Sequence, residues 1–383
     1  MISKTFEVFW RFLTLGCISF GGPAAHIGYF QTAFVQKLKW LDADAYARII
    51  SLSQFLPGPG SSQVGFAIGL RHAGVLGGFA AFLGFTLPSF LILYFLASSN
   101  LEQHSSKVFN GVVHGLKLLA VVVVAQATLS MFNSFCKEKL SLCIAVLTTV
   151  ILLCFPSLYN QIFVLLIAAI LGVFFGKPNQ MKSTSPKKSK LFPLILFFMM
   201  LFALPFLAKL SIGLNLFSDF YQAGSLVFGG GHVVLPLLQE ILGNSVSTDR
   251  FLLGYATAQA IPGPMFTLAT FLGAEIMQDN KMLGALLATA GVFLPGFLLV
   301  LGLHNTWEGL AAKPKIAGAI WGVNASVVGL LLSALYNPVF INAVFKPVDM
   351  AIVIIGFCLL KTFKIPIVFL VLVFAATGPF ISN

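Results

Sequence analysis

Charged residues are scarce in this chain. They make up 9% of its 383 residues, and only 12 residues are acidic. A soluble globular domain averages about 25% charged residues, so this composition excludes one. Hydrophobic residues account for 58%, phenylalanine alone occurs 40 times, and the mean hydropathy is +0.95. Because apolar runs of roughly 20 residues span a bilayer, we predict an all-α polytopic membrane protein.

Patterns for metal binding and catalysis are also missing. The five cysteines form no C-x-x-C pair, and no His, Cys and acid cluster has metal-ligand spacing. We find no Ser/His/Asp set and no paired acids at suitable depth, and no ATP-binding G-x-x-x-x-G-K-[ST] motif. We therefore expect no cofactor, no metal and no enzymatic activity.

The net charge of +11 comes from Lys and Arg that lie mostly between apolar runs. That distribution is typical of loops that face the cytoplasm or anionic lipid. It predicts the lipid bilayer as a partner and does not indicate nucleic acid.

The chain is a tandem duplication, because three segments return in the same order 205 to 208 residues later. The matched segments are 20–23 with 228–231, 54–59 with 259–264, and 84–90 with 291–297. Lysines, Ser, Thr, Pro and Asn fill the stretch between the copies, a composition that cannot form a core. We divide the chain into a first repeat (1–176), a basic cytoplasmic linker (177–191), a connecting transmembrane helix (192–210) and a second repeat (211–383).

Each repeat is predicted to contain about six helical segments, which with the connecting helix gives thirteen. In the first repeat these lie near 8–34, 46–70, 74–97, 110–132, 140–155 and 160–176, and in the second near 215–242, 251–277, 283–304, 316–336, 348–361 and 365–381. An odd helix between two even repeats inverts the second one, as in many secondary transporters. Counting Lys and Arg does not separate this arrangement from one in which both proline-glycine segments dip in and return.

The main interruption of the apolar pattern is Gln54–Gln63, which we call the first helix break. Its run of Pro and Gly should end one helix near Leu56, and a new helix can begin at Pro59. The free amides at the new helix start, with two serine hydroxyls, would attract an anion. Irregular backbone at membrane depth survives only in protein or beside a water-filled cavity, so this break is predicted to bind substrate.

We expect four elements to line one cavity at the midplane of the membrane. They are two glycine hinges, Ser19–Pro23 and Val227–Gly231, and two helix breaks, this one and the second helix break (259–267). The alternative is that the hinge glycines only allow close helix packing. Thr267 is the only hydroxyl near the second break, so the first repeat should hold more of the anion. The candidate substrate-binding residues are Ser19, Gly21, Gly22, Gln54, Gly58, Gly60, Ser61, Ser62, Gln63, Gly229, Gly230, Gln259, Gly263 and Thr267.

Two candidates have simpler explanations. Gln54 and its repeat partner Gln259 could form an interhelical hydrogen-bonded pair and nothing more. Lys117 completes the candidate set because a cation within an apolar run is costly and marks a functional site by default. Alternatively, Lys117 extends to the membrane interface.

These motifs resemble the chromate ion transporter family, bidomain type, along nearly the whole chain. The family's motifs stand here as Phe20–Pro23 (FGGP), as Phe228–Gly231 (FGGG) with Val233, Val234 and Pro236 after it, and as Pro57–Pro59 and Pro262–Pro264 (PGP). His232 departs from the Tyr or small residue expected there. The resemblance implies a multi-pass exporter in the inner (plasma) membrane of a bacterium or archaeon. Its substrate would be chromate, with sulfate as a look-alike, and it would confer chromate resistance.

Three classes of function remain at this point: a secondary transporter for a tetrahedral oxyanion, a channel or transporter for another small anion, and a membrane enzyme. The missing catalytic sets disfavour the enzyme. A divalent anion leaving a negative-inside cell gains roughly 4.6 kcal/mol at 100 mV, which favours export. The sequence leaves open whether the protein is a monomer or a homodimer.

Overall fold

The computed structural model of the protein describes residues 2–20, 22–99, 107–176, 190–228, 234–304, 306 and 313–381. Within these ranges the secondary structure is helical and includes no strand. The first repeat contains α1 (Ile2–Ile18), α2 (Gly22–Phe30), α3 (Ala43–Phe55), α4 (Gly60–Ser98), α5 (Lys107–Phe135), α6 (Lys139–Cys154) and α7 (Leu158–Phe175). After α8 (Leu191–Leu207), the second repeat contains α9 (Ile212–Leu226), α10 (Val234–Leu242), α11 (Thr248–Ala260), α12 (Leu268–Ile276), α13 (Lys281–Leu303), α14 (Pro314–Ala334), α15 (Pro347–Lys361) and α16 (Ile367–Ile381).

Both predicted helix breaks are present. Helix α3 ends at Phe55 and α4 begins at Gly60, within a residue of the positions that the proline-glycine pattern indicated. In the second repeat, α11 ends at Ala260 and a 3-10 turn, Met265–Thr267, leads into α12. The segments predicted near 46–70 and 251–277 are therefore each two short helices and not one continuous helix.

Helix α4 has a second interruption at Ala73 and Gly74, where Gly74 has a φ of +70°. It divides α4 into a short arm (60–72) and a long arm (75–98). The two arms pack closely against each other. Their backbones are so near that a side chain on Gly69 would collide with the carbonyl oxygen of Gly77. Gly273 and Gly284 make the same close approach between α12 and α13, so this helical hairpin occurs once in each repeat.

The helices form two compact units, and each unit takes helices from both repeats. Unit I comprises Met1–Ser98, Gln180–Val234 and Ile261–Lys313. Unit II comprises Ser99–Asn179, Leu235–Ala260 and Pro314–Asn383. The repeats are thus units of sequence, whereas the compact units are assembled across them.

In unit I, the same kind of helix crossing occurs once in each repeat. Helix α1 crosses the long arm of α4 at Gly16 and Gly84, and α9 crosses α13 at Gly224 and Gly291. A Cβ on Gly16 would lie 2.7 Å from the carbonyl oxygen of Phe85. Small residues at such crossings let helix backbones approach closely, which is how helices pack in membranes.

Unit II shows a reciprocal exchange between the repeats. Helix α5 packs on α16, with Gly115 against the backbone of Phe374, and α14 packs on α7, with Gly322 against the backbone of Ala168. Helices α5 and α14 are equivalent in the two repeats, and each packs on the last helix of the other repeat. Mutual contacts of this kind are the mark of two parts related by a two-fold axis. The inverted orientation of the second repeat in the membrane stays a prediction.

Within the described parts of the chain, five helical stretches are long and apolar enough to cross a bilayer: Gly60–Ser98, Asn110–Phe135, Leu191–Leu210, Gln278–Leu303 and Pro314–Phe340. In the first of them, the long arm of α4 is roughly 36 Å long at 1.5 Å per residue, whereas the short arm is too short to cross alone. The connecting helix predicted at 192–210 is the third stretch.

Candidate functional site

In unit I, each helix break is hydrogen-bonded to the hinge of the other repeat. The amide of Gly58 donates to the carbonyl of Val227 over 2.7 Å, and the amide of Gly263 donates to the carbonyl of Ser19 over 3.0 Å. Gly58 and Gly263 are equivalent positions of the two repeats, as are Ser19 and Val227. The structure thus joins each break to the hinge of the other repeat, whereas their role in lining one substrate cavity stays a prediction.

Both glycines occupy backbone conformations that other residues rarely adopt, with φ of +119° at Gly58 and +108° at Gly263. Their surroundings are also tight. A Cβ on Gly58 would lie 3.1 Å from the Cα of Gly296, and one on Gly263 would lie 2.7 Å from the Oγ of Ser89. Glycine is needed at both positions for conformation and for space.

The short arm of α4 begins at the first break and points the amides of its first turn into it. The first bond of this helix is donated by the amide of Gln63 to the carbonyl of Pro59, at 2.9 Å. The amides of Gly60, Ser61 and Ser62 therefore have no acceptor within the helix. A helix N-terminus with free amides and a partial positive charge favours an anion.

His26 of α2 lies beside this helix start. Its Nδ1 is 3.2 Å from the Oγ of Ser61, a hydrogen bond in which the donor depends on the imidazole tautomer. The carbonyl of Ser19 is close enough to interact with the imidazole, yet Nε2 has no hydrogen-bond partner of normal geometry among the described residues. The ring also stands edge-on to Phe85, with 5.1 Å between centroids.

Several polar side-chain atoms of the first repeat in unit I, including those of Ser62 and Gln63 at the first break, are buried without a hydrogen-bond partner in the described part of the chain. They are Ser19 Oγ, His26 Nε2, Ser62 Oγ, Gln63 Oε1 and Thr86 Oγ1. A buried polar group left unpaired costs about 1–3 kcal/mol, so five in one region are typical of a site that binds a polar ligand or water. Ser19, His26 and Gln63 are 0% exposed, so the site is closed in this conformation.

Gln63 holds the first break in shape. Its Nε2 donates to the carbonyl of Pro57 at 2.8 Å and to the carbonyl of Gly296 at 3.4 Å. These two bonds join the break to α13 of the second repeat. The side chain is therefore positioned by its amide nitrogen, and the Oε1 atom carries the remaining hydrogen-bonding capacity.

The second break lacks the same donors. Thr267, which is equivalent to Ser62, donates its hydroxyl to the carbonyl of Pro264 at 2.6 Å, so that hydrogen is already engaged. The positions equivalent to Ser61, Gln63 and His26 are Phe266, Leu268 and Val234. The first repeat thus supplies the polar side of the site and the second an apolar one.

The remaining predicted residues lie as follows. Gln54 is exposed on α3, whereas Gln259 is buried on α11 in unit II and is hydrogen-bonded to Tyr255. Gly22 has a φ of +78°, and nothing lies within 4 Å of a Cβ built there. A Cβ built on Gly60 would lie 3.7 Å from the carbonyl oxygen of Ser53. The predicted residues Gly21, Gly229 and Gly230 are outside the described residues.

Lys117 is in unit II, where it is buried on α5 and forms an ion pair with Asp249 of α11. This neutralises its charge, so a role in anion binding would require the pair to open.

Sequence reasoning missed two members of the polar cluster. The candidate set did not include His26, although a polar residue stands there where the second repeat has Val234. Thr86 lies inside the recurring segment 84–90, which served only as evidence for the duplication. In both cases a polar residue in one repeat opposite an apolar residue in the other was the available signal.

The fold and this site define a polytopic helical membrane transporter with two repeats, each of which contains a helix break. The family model described as "Chromate transporter" matches residues 6–173 and 214–379. The chain belongs to the chromate transporter family.

Similar proteins agree with this assignment. The chain is 27% identical over 340 residues to an uncharacterized transporter of Methanocaldococcus jannaschii, covering 85% of this chain and 82% of that protein. It is 26% identical over 385 residues to the chromate transport protein of Pseudomonas aeruginosa, covering 97% and 90%. It is also 25% identical to that of Cupriavidus metallidurans over 331 residues, covering 84% and 80%. No solved structure matches the chain.

Proposed function

We propose that this protein exports chromate across the inner (plasma) membrane, with sulfate as a second substrate, and that it acts as a transporter without enzymatic turnover. The observation that carries the proposal is the group of unpartnered polar atoms at the start of the short arm of α4. The names of the Pseudomonas and Cupriavidus relatives support chromate as the substrate.

The proposed anion ligands are neutral donors. The amides of Gly60, Ser61 and Ser62, the hydroxyls of both serines and the imidazole of His26 converge on the first break. Such donors match the oxygen atoms of a tetrahedral oxyanion. Chromate and sulfate share charge and shape, so these donors would accept both, and the two anions should compete.

The membrane potential sets the direction. One elementary charge crossing 100 mV involves about 2.3 kcal/mol, so export of a divalent anion from a negative-inside cell is downhill without a coupling ion. Uptake of the same anion would need about three accompanying positive charges to move net positive charge inward. Efflux therefore requires less of the protein, and it is the direction we propose.

Access to the buried site requires movement of the elements around it. The short arm of α4 is the element we propose to move, because a break at each end frees it from the helices on either side. A transporter that alternates access saturates with substrate and exchanges labelled for unlabelled anion. A channel built on the same site would show neither property.

Uptake of radiolabelled chromate into reconstituted vesicles tests this function. We expect saturable uptake, competition by sulfate, and exchange against chromate inside the vesicles. Ser62→Ala and His26→Gln should raise the KM, whereas Ser225→Ala, which removes a buried hydroxyl already bonded to the carbonyl of Tyr221, should leave the KM unchanged. Flux that rises linearly without saturation would indicate a channel, and unchanged KM in both site variants would remove the first break from the binding site.

A further inference from the structure

Unit II contains a cavity of about 100 Å³ that has no part in the anion site described above. It lies between the start of α7, α10 and the end of α14. Its polar lining consists of Gln161, Gln239, Glu240, Ser333 and Asn337. No Lys, Arg or His is among the described residues that line it.

Two side chains of this cavity, Gln161 and Glu240, present oxygen atoms that could bind a ligand and that have no hydrogen-bond partner among the described residues. Gln161 is 7% exposed, and its Oε1 has no hydrogen-bond partner among the residues that the structure describes. Among those same residues, Glu240 finds no hydrogen-bond or ion-pair partner. A carboxylate beside an unpaired amide oxygen, with no base facing them, favours a cation as ligand.

The charge of the lining limits the choice of cation. Among the described residues that line the cavity, Glu240 is the only ionisable one, and the other polar groups are neutral amides and one hydroxyl. Hard cations prefer such oxygen ligands. One carboxylate with neutral oxygens balances a monovalent ion, whereas divalent ions are usually held by more than one carboxylate.

Glu240 also lines a second cavity in unit II. This cavity of about 190 Å³ shares Gln239 and Glu240 with the first, and Gly243, Val246 and Thr248 are also among its lining residues. The Glu240 side chain therefore belongs to the lining of both cavities.

The repeat provides an internal comparison. At the offset of 208 that relates Ser19 to Val227, Glu240 corresponds to Thr32. At the offset of 206 that relates Gly172 to Gly378, Gln161 corresponds to Ile367. The repeat-related positions thus have neither the carboxylate nor the amide, so these side chains are not imposed by the packing that the repeats share.

We propose that Gln161, Glu240 and Ser333, with Asn337 at the edge of the cavity, bind one sodium ion in unit II. This site is separate from the oxyanion site, and its occupancy does not require the proposed chromate transport.

Thermal unfolding of the full-length protein in detergent tests the sodium site. The melting temperature is measured against Na⁺ concentration, with choline chloride holding the ionic strength constant and without chromate or sulfate. We expect a saturable rise in Tm with Na⁺ and a smaller rise with K⁺. Glu240→Gln should abolish the rise. Ser333→Ala should weaken the apparent Na⁺ affinity by about fivefold, in line with one lost ligand.

Two controls keep the result specific. Asp279→Asn removes an exposed acid from unit I and should leave the Na⁺ response intact, as should Ser62→Ala in the oxyanion site. If Glu240→Gln does not fold, Ser333→Ala and Gln161→Leu carry the test. Equal Tm in Na⁺ and choline for the wild type, or a full Na⁺ response in the folded variants of the cavity, would overturn the proposal. Neither result would bear on chromate flux.

Discussion

Gly58 and Val227 are joined by a 2.7 Å hydrogen bond from amide to carbonyl, although they lie in different repeats. Gly263 and Ser19 form the equivalent bond at 3.0 Å. Together the two bonds link each helix break to the hinge of the other repeat. A movement of one break must therefore displace the opposite hinge or break a hydrogen bond in unit I.

Gly58→Ala should abolish most transport. An alanine at φ of +119° costs about 1–3 kcal/mol, and its Cβ would press on Gly296 and on the amide of Gln63. Gly263→Ala should act in the same way through Ser89. Initial rates of chromate flux at matched protein levels in the membrane measure the effect.

The matched control is Gly28→Ala on α2, where nothing lies within 4 Å of the added Cβ. It should transport like the wild type. Normal kinetics in both Gly58→Ala and Gly263→Ala would show that the breaks do not need their glycine backbone.

Ser62 and Thr267 are equivalent residues with different partners, which allows a paired prediction. Ser62→Ala removes an unpartnered hydroxyl and should raise the KM by about fivefold, the equivalent of roughly 1 kcal/mol. Thr267→Val removes a hydroxyl that is bonded to the carbonyl of Pro264, so it should lower stability by about 1 kcal/mol. The KM of Thr267→Val should stay unchanged.

Flux kinetics and thermal unfolding of the two variants check this pair. A raised KM in Thr267→Val with a normal KM in Ser62→Ala would place the anion at the second break instead of the first.

The interlocked repeats predict how a divided chain behaves. If the chain is cut in the linker, neither half alone retains the pairings of α5 with α16 and of α14 with α7. We expect each half to be unstable when expressed alone and the two halves to co-purify and transport when expressed together. Gly115→Leu should prevent this, because Gly115 contacts the backbone of Phe374. A first half that is stable and monodisperse by itself would show that it does not need these helix pairings with the second half.

Periodicity and repeats predicted much of this architecture, because helix ends at Pro and Gly are local properties. The break that ends α3 at Phe55 and starts α4 at Gly60 followed from the order of Pro and Gly alone. Partner choice did not follow. That α5 packs on α16 depends on glycines far apart in sequence, and no local pattern specifies which surface a glycine approaches.

The candidate site was predictable in part for the same reason. Ser62 and Gln63 could be chosen because they follow a helix break, whereas the role of His26 depends on a tertiary contact with Ser61. Gln54 shows the opposite case: its position beside the break suggested the site, but the turn of α3 leaves it exposed. Which side of a helix faces the site near a break is set by tertiary packing, and a single sequence does not show that packing.

Membrane topology remains a prediction and has a direct test. Single cysteines at positions 3, 185 and 382 of a cysteine-free variant would be labelled from each side. Five native cysteines must first be replaced, four of which are exposed. Thirteen crossings with the N-terminus inside place position 3 and position 185 in the cytoplasm and position 382 outside. Labelling of positions 3 and 382 from the same side would contradict an odd number of crossings.

The most direct test of the account is potential-driven chromate flux through the first break. Vesicles loaded with chromate are given a potassium diffusion potential, negative on the loaded side, without a pH gradient. We predict that chromate leaves at a rate that increases with the potential, and that Gly58→Ala abolishes this flux while Gly28→Ala preserves it. Flux that ignores the potential but follows an imposed pH gradient would contradict the account and indicate obligatory proton exchange.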